Sequence, residues 1–182
     1  MYKNKSKQHG LVIVYTGGGK GKTTAALGMA LRAAGHSQKV LIIQFIKGSF
    51  LSGEVKSIKK LSPLVKIVTV GKGFVKIRGD KRPFAEHVRA AQVAVKLAKQ
   101  AFSSKKYQLV ILDEINYAIK GNLIAVKDAL NLIKIKPSSV HLVLTGNFAS
   151  SKIIQKADLV TEMKEIKSPF YQGIRAQEGI DY

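Results

Sequence analysis

The chain has no cysteine among its 182 residues. That excludes disulfides, thiolate catalysis and cysteine-ligated zinc, and it suits a reducing compartment such as the cytoplasm. No apolar run approaches the ~20 residues that a membrane-spanning helix needs, so no membrane association is expected. Acidic residues are few, 11 Asp+Glu against 31 Lys+Arg, giving a formal charge of +20. Such an excess favours anionic partners, whether nucleotides, nucleic acid or an anionic surface, without choosing among them. The lysines are scattered rather than blocked, so a generally basic surface explains them as well as a nucleic-acid stripe would. His9, His36, His87 and His141 show no metal-ligand spacing and read as structural or surface residues.

A hydrophobic fraction of 46% makes the chain globular, with length for one domain and a sizeable core. Residues 1–10 are basic, polar and aperiodic, an arm expected to be mobile when alone and able to fold over a bound anion. Residues 11–182 are expected to form a single phosphate-loop nucleotide-binding domain.

The stretch Thr16-Gly17-Gly18-Gly19-Lys20-Gly21-Lys22-Thr23-Thr24 organises that domain. An apolar run, 11–15, precedes it, and a small-residue helical segment, 25–34, follows, ending at Gly35. Strand, glycine-rich turn and helix with Lys-Thr is the layout of a loop whose backbone N–H groups cradle phosphates. Lys22 supplies a full positive charge and the Thr23 hydroxyl suits Mg²⁺. In the usual G-x-x-x-x-G-K-[ST] spacing a glycine stands five places before the second one, but here that position is Thr16. Gly17 comes one residue late, so the loop is tighter. A dinucleotide G-x-G-x-x-G reading fails because its third glycine would fall on Lys22. A triphosphate site is the conclusion.

Further strands are expected at 39–45, 64–70, 108–112, 140–144 and 159–163. Several are continuous apolar runs, as in strands buried on both faces of a parallel sheet. Between them come a short helix over 54–61, a helix opening at Pro83, a helix capped by Asn122 that stops before Pro137, and a short helix from Ser150. In the Pro83 helix, Phe84, Val88, Ala91, Val95, Ala98 and Phe102 form an amphipathic stripe, read as core packing. The alternation of strands and helices gives an α/β fold around a mostly parallel sheet. The run Val110-Ile111-Leu112 ends in Asp113-Glu114, a carboxylate pair placed to hold Mg²⁺ opposite the phosphate loop or to align a water.

The sequence resembles the ATP:corrinoid adenosyltransferases of cobalamin biosynthesis, of the phosphate-loop type. The likeness rests on V-Y-T-G-x-G-K-G-K-T-T-A-A at 14–26, R-A-x-G-H at 32–36, Q-F-I-K-G at 44–48, V-I-L-D-E at 110–114, A-D-L-V-T-E-M-K at 157–164, and the closing G-I-x-A-Q-x-G-I-D-Y. It implies a three-layer RecA-like fold and transfer of the 5′-deoxyadenosyl group of MgATP to cobalt(I) of a corrinoid, releasing triphosphate. By the same resemblance Gly17, Gly18, Gly19, Lys20, Gly21, Lys22, Thr23 and Thr24 bind ATP. Thr23, Asp113 and Glu114 serve Mg²⁺, Lys22 and Glu114 act catalytically, and Phe74 in the loop 71–80 lies toward the corrinoid. An electron-donating reductase and a homodimer are also implied. Two positions depart from the family pattern: Val75-Lys76 stands where T-W is frequent, and Asn147 where T-G-R is common. The alternative is a basic, nucleic-acid-dependent RecA-like ATPase, which the charge favours but which lacks a clustered basic strip.

Replacing Lys22 by Ala is expected to lower the transfer rate at least roughly a hundredfold, as for loss of one preorganised charge-stabilising donor. The check is single-turnover kinetics at saturating MgATP; a rate equal to wild type would remove Lys22 from the phosphate site.

Overall fold

The computed structural model describes residues 9–48, 52–75, 80 and 82–181. The expected basic arm lies almost wholly outside them, as does Lys76. The elements are β1 (Val12–Thr16), α1 (Lys22–Gly35), β2 (Val40–Gln44), α2 (Gly53–Lys59), β3 (Val65–Thr69), α3 (Phe84–Ser104), β4 (Leu109–Asp113), α4 (Ile115–Lys120), α5 (Val126–Ile135), β5 (His141–Thr145), α6 (Ser151–Ile154) and β6 (Leu159–Glu162). A 3-10 turn, Pro169–Gln172, lies in the tail.

The strands form one sheet in the order β3-β2-β4-β5-β1-β6, every neighbouring pair parallel. Side chains alternate across it because successive residues of a strand point to opposite faces. Val12, Val14, Leu41, Ile43, Val110, Leu112, Leu142 and Leu144 face one core, packed with residues of α3, α4 and α5. Ile13, Val40, Ile42, Leu109, Ile111 and Val143 face the other, against Ala26, Ala30 and Ala33 of α1 and Ile58 of α2. The result is a three-layer α/β fold. The continuous apolar runs of β2 and β4 are explained by this covering, since all five residues of each strand are buried. β6 differs: it is one of the two sheet edges and all four of its residues are exposed.

Register aligns the strand ends that matter later. Gln44 of β2 stands opposite Asp113 of β4, and Tyr15 of β1 opposite Thr145 of β5. The crossover loops therefore open along one rim, the carboxyl edge where ligands of parallel sheets collect.

Four local expectations need correction. α1 begins at Lys22, because the polar Lys-Thr-Thr, read as loop, already forms its first turn. A helix not anticipated, α4, follows β4 at once; Glu114 makes the turn in the left-handed region, with φ of 62°. Asn122 does not cap α5; it occupies a left-handed turn, while Asp128 reaches back to the Ala125 N–H at 3.0 Å. In α3 the buried face is His87, Ala90, Ala91, Ala94, Val95, Ala98, Ala101 and Phe102, whereas Phe84 is exposed. Small residues on this face let the helix lie close to the sheet.

Leu142 sits fully buried in the middle of the sheet. Leu142→Ala is expected to cost about 2–5 kcal/mol, whereas Leu159→Ala on the exposed edge should change stability by no more than about 0.5 kcal/mol. Urea titration of both variants checks the assignment of layers; equal losses would refute it.

Candidate active site

The phosphate loop joins β1 to α1 and is strapped to the segment after β6. Gly17 and Gly21 have φ of 95° and 107°, a region that side-chain-bearing residues seldom enter. Space forbids substitution as well: a Cβ on Gly17 would stand 2.5 Å from the Met163 carbonyl oxygen, and one on Gly19 2.8 Å from it. The Gly19 N–H donates to that oxygen at 2.7 Å. Lys22 arches back over the loop, its Nζ donating to the carbonyls of Gly17 and Gly19 at 2.7 Å each. No acid occupies the first turn of the 14-residue α1, so its N-terminal partial positive charge is not offset locally.

Asp113 lies behind this cradle and is 1% exposed. Its Oδ1 accepts from the hydroxyls of Thr23 and Thr145, both at 2.8 Å, and its Oδ2 accepts from the Gln44 amide at 3.3 Å. Thr69 fixes that amide by donating to Gln44 Oε1 at 2.7 Å, and the same Nε2 reaches Glu54 Oε1 at 3.4 Å. Lys47 forms an ion pair with Glu54 Oε1. Since the Thr23 proton is committed to Asp113, the lone pairs of its hydroxyl oxygen remain for a cation.

Glu114 is set by three features. Its N–H donates to Thr145 Oγ1 at 2.9 Å, its backbone is left-handed, and Gly146 leaves room for its carboxylate. A Cβ on Gly146 would lie 3.0 Å from Glu114 Oε2. Burial, reinforced by the charge of Asp113, pushes the Glu114 carboxyl up to about 7, while Lys22 and Lys47 pull it back.

A cavity of about 620 Å³ brings much of this together. Of the residues expected from sequence, Lys20, Gly21, Lys22, Thr23, Thr24, Phe74 and Glu114 line it. Asp113 backs it through Thr23. Gly17 and Gly19 pack on Met163 instead, and Gly18 borders a smaller cavity of about 280 Å³ beneath the tail. Phe74 is half exposed and packs edge-on against Tyr117, ring centroids 5.6 Å apart. Asn147 stands near Gly18, 4.0 Å from where a Cβ would be.

Sequence reasoning set 44–48 at the ligand-binding end of its strand without giving Gln44 or Lys47 a role, and it missed Glu54, Thr145 and Asp181 as site residues. Asp181 forms an ion pair with Lys20 and, with Gly179 and Ile180, brings the tail to the cavity. A signal was available for Thr145 as well, because like Gln44 it ends a buried parallel strand, where ligand sites gather.

Glu114 generates a pH prediction. Its folded value lies above the ordinary 4.5, so the folded state binds more protons than the unfolded one between 4.5 and about 7. Stability of the ligand-free protein then falls as pH rises through that window, by up to about 3 kcal/mol. Glu114→Gln should flatten this slope and leave the protein more stable than wild type at pH 8. Denaturant midpoints measured from pH 5 to 8 test it; parallel curves would contradict the assignment.

Residues 8–182 match the family model described as ATP:corrinoid adenosyltransferase BtuR/CobO/CobP. The chain is 40% identical over 180 residues to a corrinoid adenosyltransferase of Sinorhizobium sp, covering 98% of this chain and 83% of that protein. It is 36% identical to a corrinoid adenosyltransferase of Pseudomonas aeruginosa, covering 96% and 85%. The corresponding protein of Escherichia coli K12 is 33% identical, with 96% and 87% covered. Solved structures share the fold at low identity. The flagellar accessory protein FlaH of Methanocaldococcus jannaschii superposes with TM-score 0.55 at 14% identity, covering 85% of this chain and 71% of that one. The RadB recombinase gives 0.50 at 14%, with 89% and 78% covered. The fold is RecA-like, and the chain belongs to the ATP:corrinoid adenosyltransferase family.

Proposed function

We propose that the protein transfers the 5′-deoxyadenosyl group of ATP to cobalt(I) of a corrinoid, with inorganic triphosphate as the leaving group. The cobalt electron pair forms the cobalt–carbon bond, the C5′–O bond breaks, and its pair departs on the triphosphate oxygen. One observation carries the reading beyond family membership: a single cavity joins the phosphate cradle to a wall edged by Phe74. No histidine lines it among the described residues, and the chain has no cysteine. With the metal of the second substrate as nucleophile, the protein needs neither.

The tasks left to the chain are to bind, orient and exclude water. N–H groups of the loop and the Lys22 ammonium would hold the triphosphate and stabilise charge growing on the departing oxygen. Hard oxygen donors suit Mg²⁺. Thr23 Oγ1, its proton turned to Asp113, and the Glu114 carboxylate would hold it, with Asp113 orienting Thr23 from behind. The raised Glu114 carboxyl fits this, because a dication offsets the repulsion between neighbouring acids. When bound, Mg²⁺ neutralises phosphate charge. Phe74 would present an apolar edge to the corrin ring.

Cobalt(I) implies an electron-donating reductase as partner. A homodimer is part of the same reading, and the exposed edge strand β6 is a surface a second copy would cover. The lack of cysteine supports a cytoplasmic place of action. The nucleic-acid-dependent ATPase is not favoured by the family match.

Incubation with MgATP and chemically reduced cobalamin should yield triphosphate and a light-sensitive adenosylated corrinoid in equal amounts. Orthophosphate released in response to DNA or RNA, without an alkylated corrinoid, would refute the proposal.

A further inference from the structure

One buried polar side chain has no part in the site described so far. On the inner face of α3 His87 is 2% exposed, and the other residues of that face are alanine, valine and phenylalanine. A buried polar group is costly unless it is paired. The Nε2 of His87 lies 3.2 Å from Oδ2 of Asp80, the last residue of the loop 71–80, and no hydrogen-bond partner reaches that nitrogen from elsewhere among the described residues. The other oxygen of Asp80, Oδ1, accepts from the Arg82 N–H at 3.2 Å. Arg82 in turn sends its guanidinium back across the loop to donate to the Lys72 carbonyl. A line of contacts therefore runs from inside α3, through Asp80 and Arg82, to the residue two before Phe74.

That line ends on a single peptide group. The carbonyl of Lys72 and the N–H of Gly73 belong to one planar unit. The N–H donates to the Ile46 carbonyl at 2.8 Å, just past β2, and the carbonyl accepts from Arg82. Held at both ends, the plane cannot swing without losing a bond. The root of the loop is seated in the same way. The N–H groups of Val70 and Gly71 both donate to the Gln44 carbonyl, at 3.1 and 3.2 Å, and a Cβ on Gly71 would stand 2.4 Å from the Ile46 carbonyl carbon. Gly73 then turns with φ of 106°, a region that side-chain-bearing residues seldom enter. A fixed peptide followed by a fixed turn sets the direction of the next residue. Phe74 points outward, half exposed and edge-on to Tyr117, while Val75 packs inward on the core.

An apolar edge offered to a flat ring is most useful when it is already in place, because ordering a loop on binding costs affinity. We infer that Arg82 and His87 are positioning residues for Phe74. His87 anchors Asp80 from within α3, Asp80 sets Arg82, and Arg82 clamps the Lys72–Gly73 peptide from which Phe74 is aimed. None of the three lines the large cavity, so they act on it only through Phe74. The inference rests on the adenosyl-transfer reading only for what Phe74 meets, the corrin ring.

The chain has no tryptophan, so Phe74→Trp supplies a single fluorescent reporter at the aimed position. In that background, without ligand, emission anisotropy should drop in Arg82→Ala, Asp80→Asn and His87→Leu. With Phe74 intact, the same three changes should raise the KM for chemically reduced cobalamin by roughly threefold to tenfold, the scale of one hydrogen bond, and leave the calorimetric affinity for MgATP unchanged. Arg82→Lys, which keeps a donor, should recover most of the loss. Asp80→Asn and His87→Leu together should do no more than either alone, since both break the same link. Arg82 is exposed, so replacing it opens no cavity, and its variants carry the test should His87→Leu fail to fold. Unchanged anisotropy in Arg82→Ala overturns the inference. So does a cobalamin KM that stays at the wild-type value, or a loss of MgATP affinity of equal size, which would mark a general loosening of the fold. Should the wild type alkylate no corrinoid while anisotropy still drops in the variants, the transfer reading fails and the brace on Phe74 stands.

Discussion

The buried carboxylate of Asp113 is the interaction on which the site depends. Three hydrogen bonds reach it from three separate elements, through Thr23 of α1, Thr145 of β5 and Gln44 of β2. A buried acid left short of donors is costly, so these elements are held in one mutual arrangement. β5 lies between β1 and β4, which separates the phosphate loop from the acid-bearing strand by two strand spacings, about 9.5 Å. Thr145 fills that gap with a hydroxyl that donates to Asp113 and accepts from the Glu114 N–H. Cradle and acids thus stand apart by a distance that the sheet fixes and the threonines bridge.

The strands were legible because burial on both faces writes a continuous apolar run, and the loop because its glycines and lysines are local. What escaped was long-range. Gly17 and Gly19 read as freeing backbone donors, yet their tightest constraint is the Met163 carbonyl, more than a hundred residues away in sequence. Helix α4 escaped because the turn into it falls on Glu114, a residue type that carries no turn signal. In the sequence Lys47 stands only as part of the strand end at 44–48, and Glu54 only as the start of a short helix. Only the fold, which brings the residue after β2 and the start of α2 together in an ion pair, makes them part of the cavity wall.

The short loop has a structural account that spacing alone did not supply. Thr16 occupies the place where a first glycine would open a longer loop, and it is the last residue of β1, paired with Glu162 of β6. Its hydroxyl accepts from the Ala149 N–H at 3.1 Å, which ties the β5–α6 connection to the same strand end. Extending β1 by this residue brings Asn147 next to Gly18. The departure from the frequent T-G-R pattern therefore lies against the phosphate loop itself.

Electrostatics at the site follow an exchange logic. Lys22 donates to two loop carbonyls, Lys20 to Asp181 and Lys47 to Glu54. Each ammonium is thus positioned without a bound phosphate and has a protein partner to return to. For a reaction whose leaving group is a free triphosphate, that matters more than raw affinity. Binding substrate and leaving group with equal strength adds nothing to the chemical step, whereas interactions that sharpen as charge collects on the departing oxygen do. Lysines drawn from internal acceptors contribute only the difference between two partners, and that difference is largest when the phosphate charge is greatest. The surplus of +20 over the whole chain raises the local concentration of anions, and under the proposed reading it is these pre-paired lysines that would select a polyphosphate.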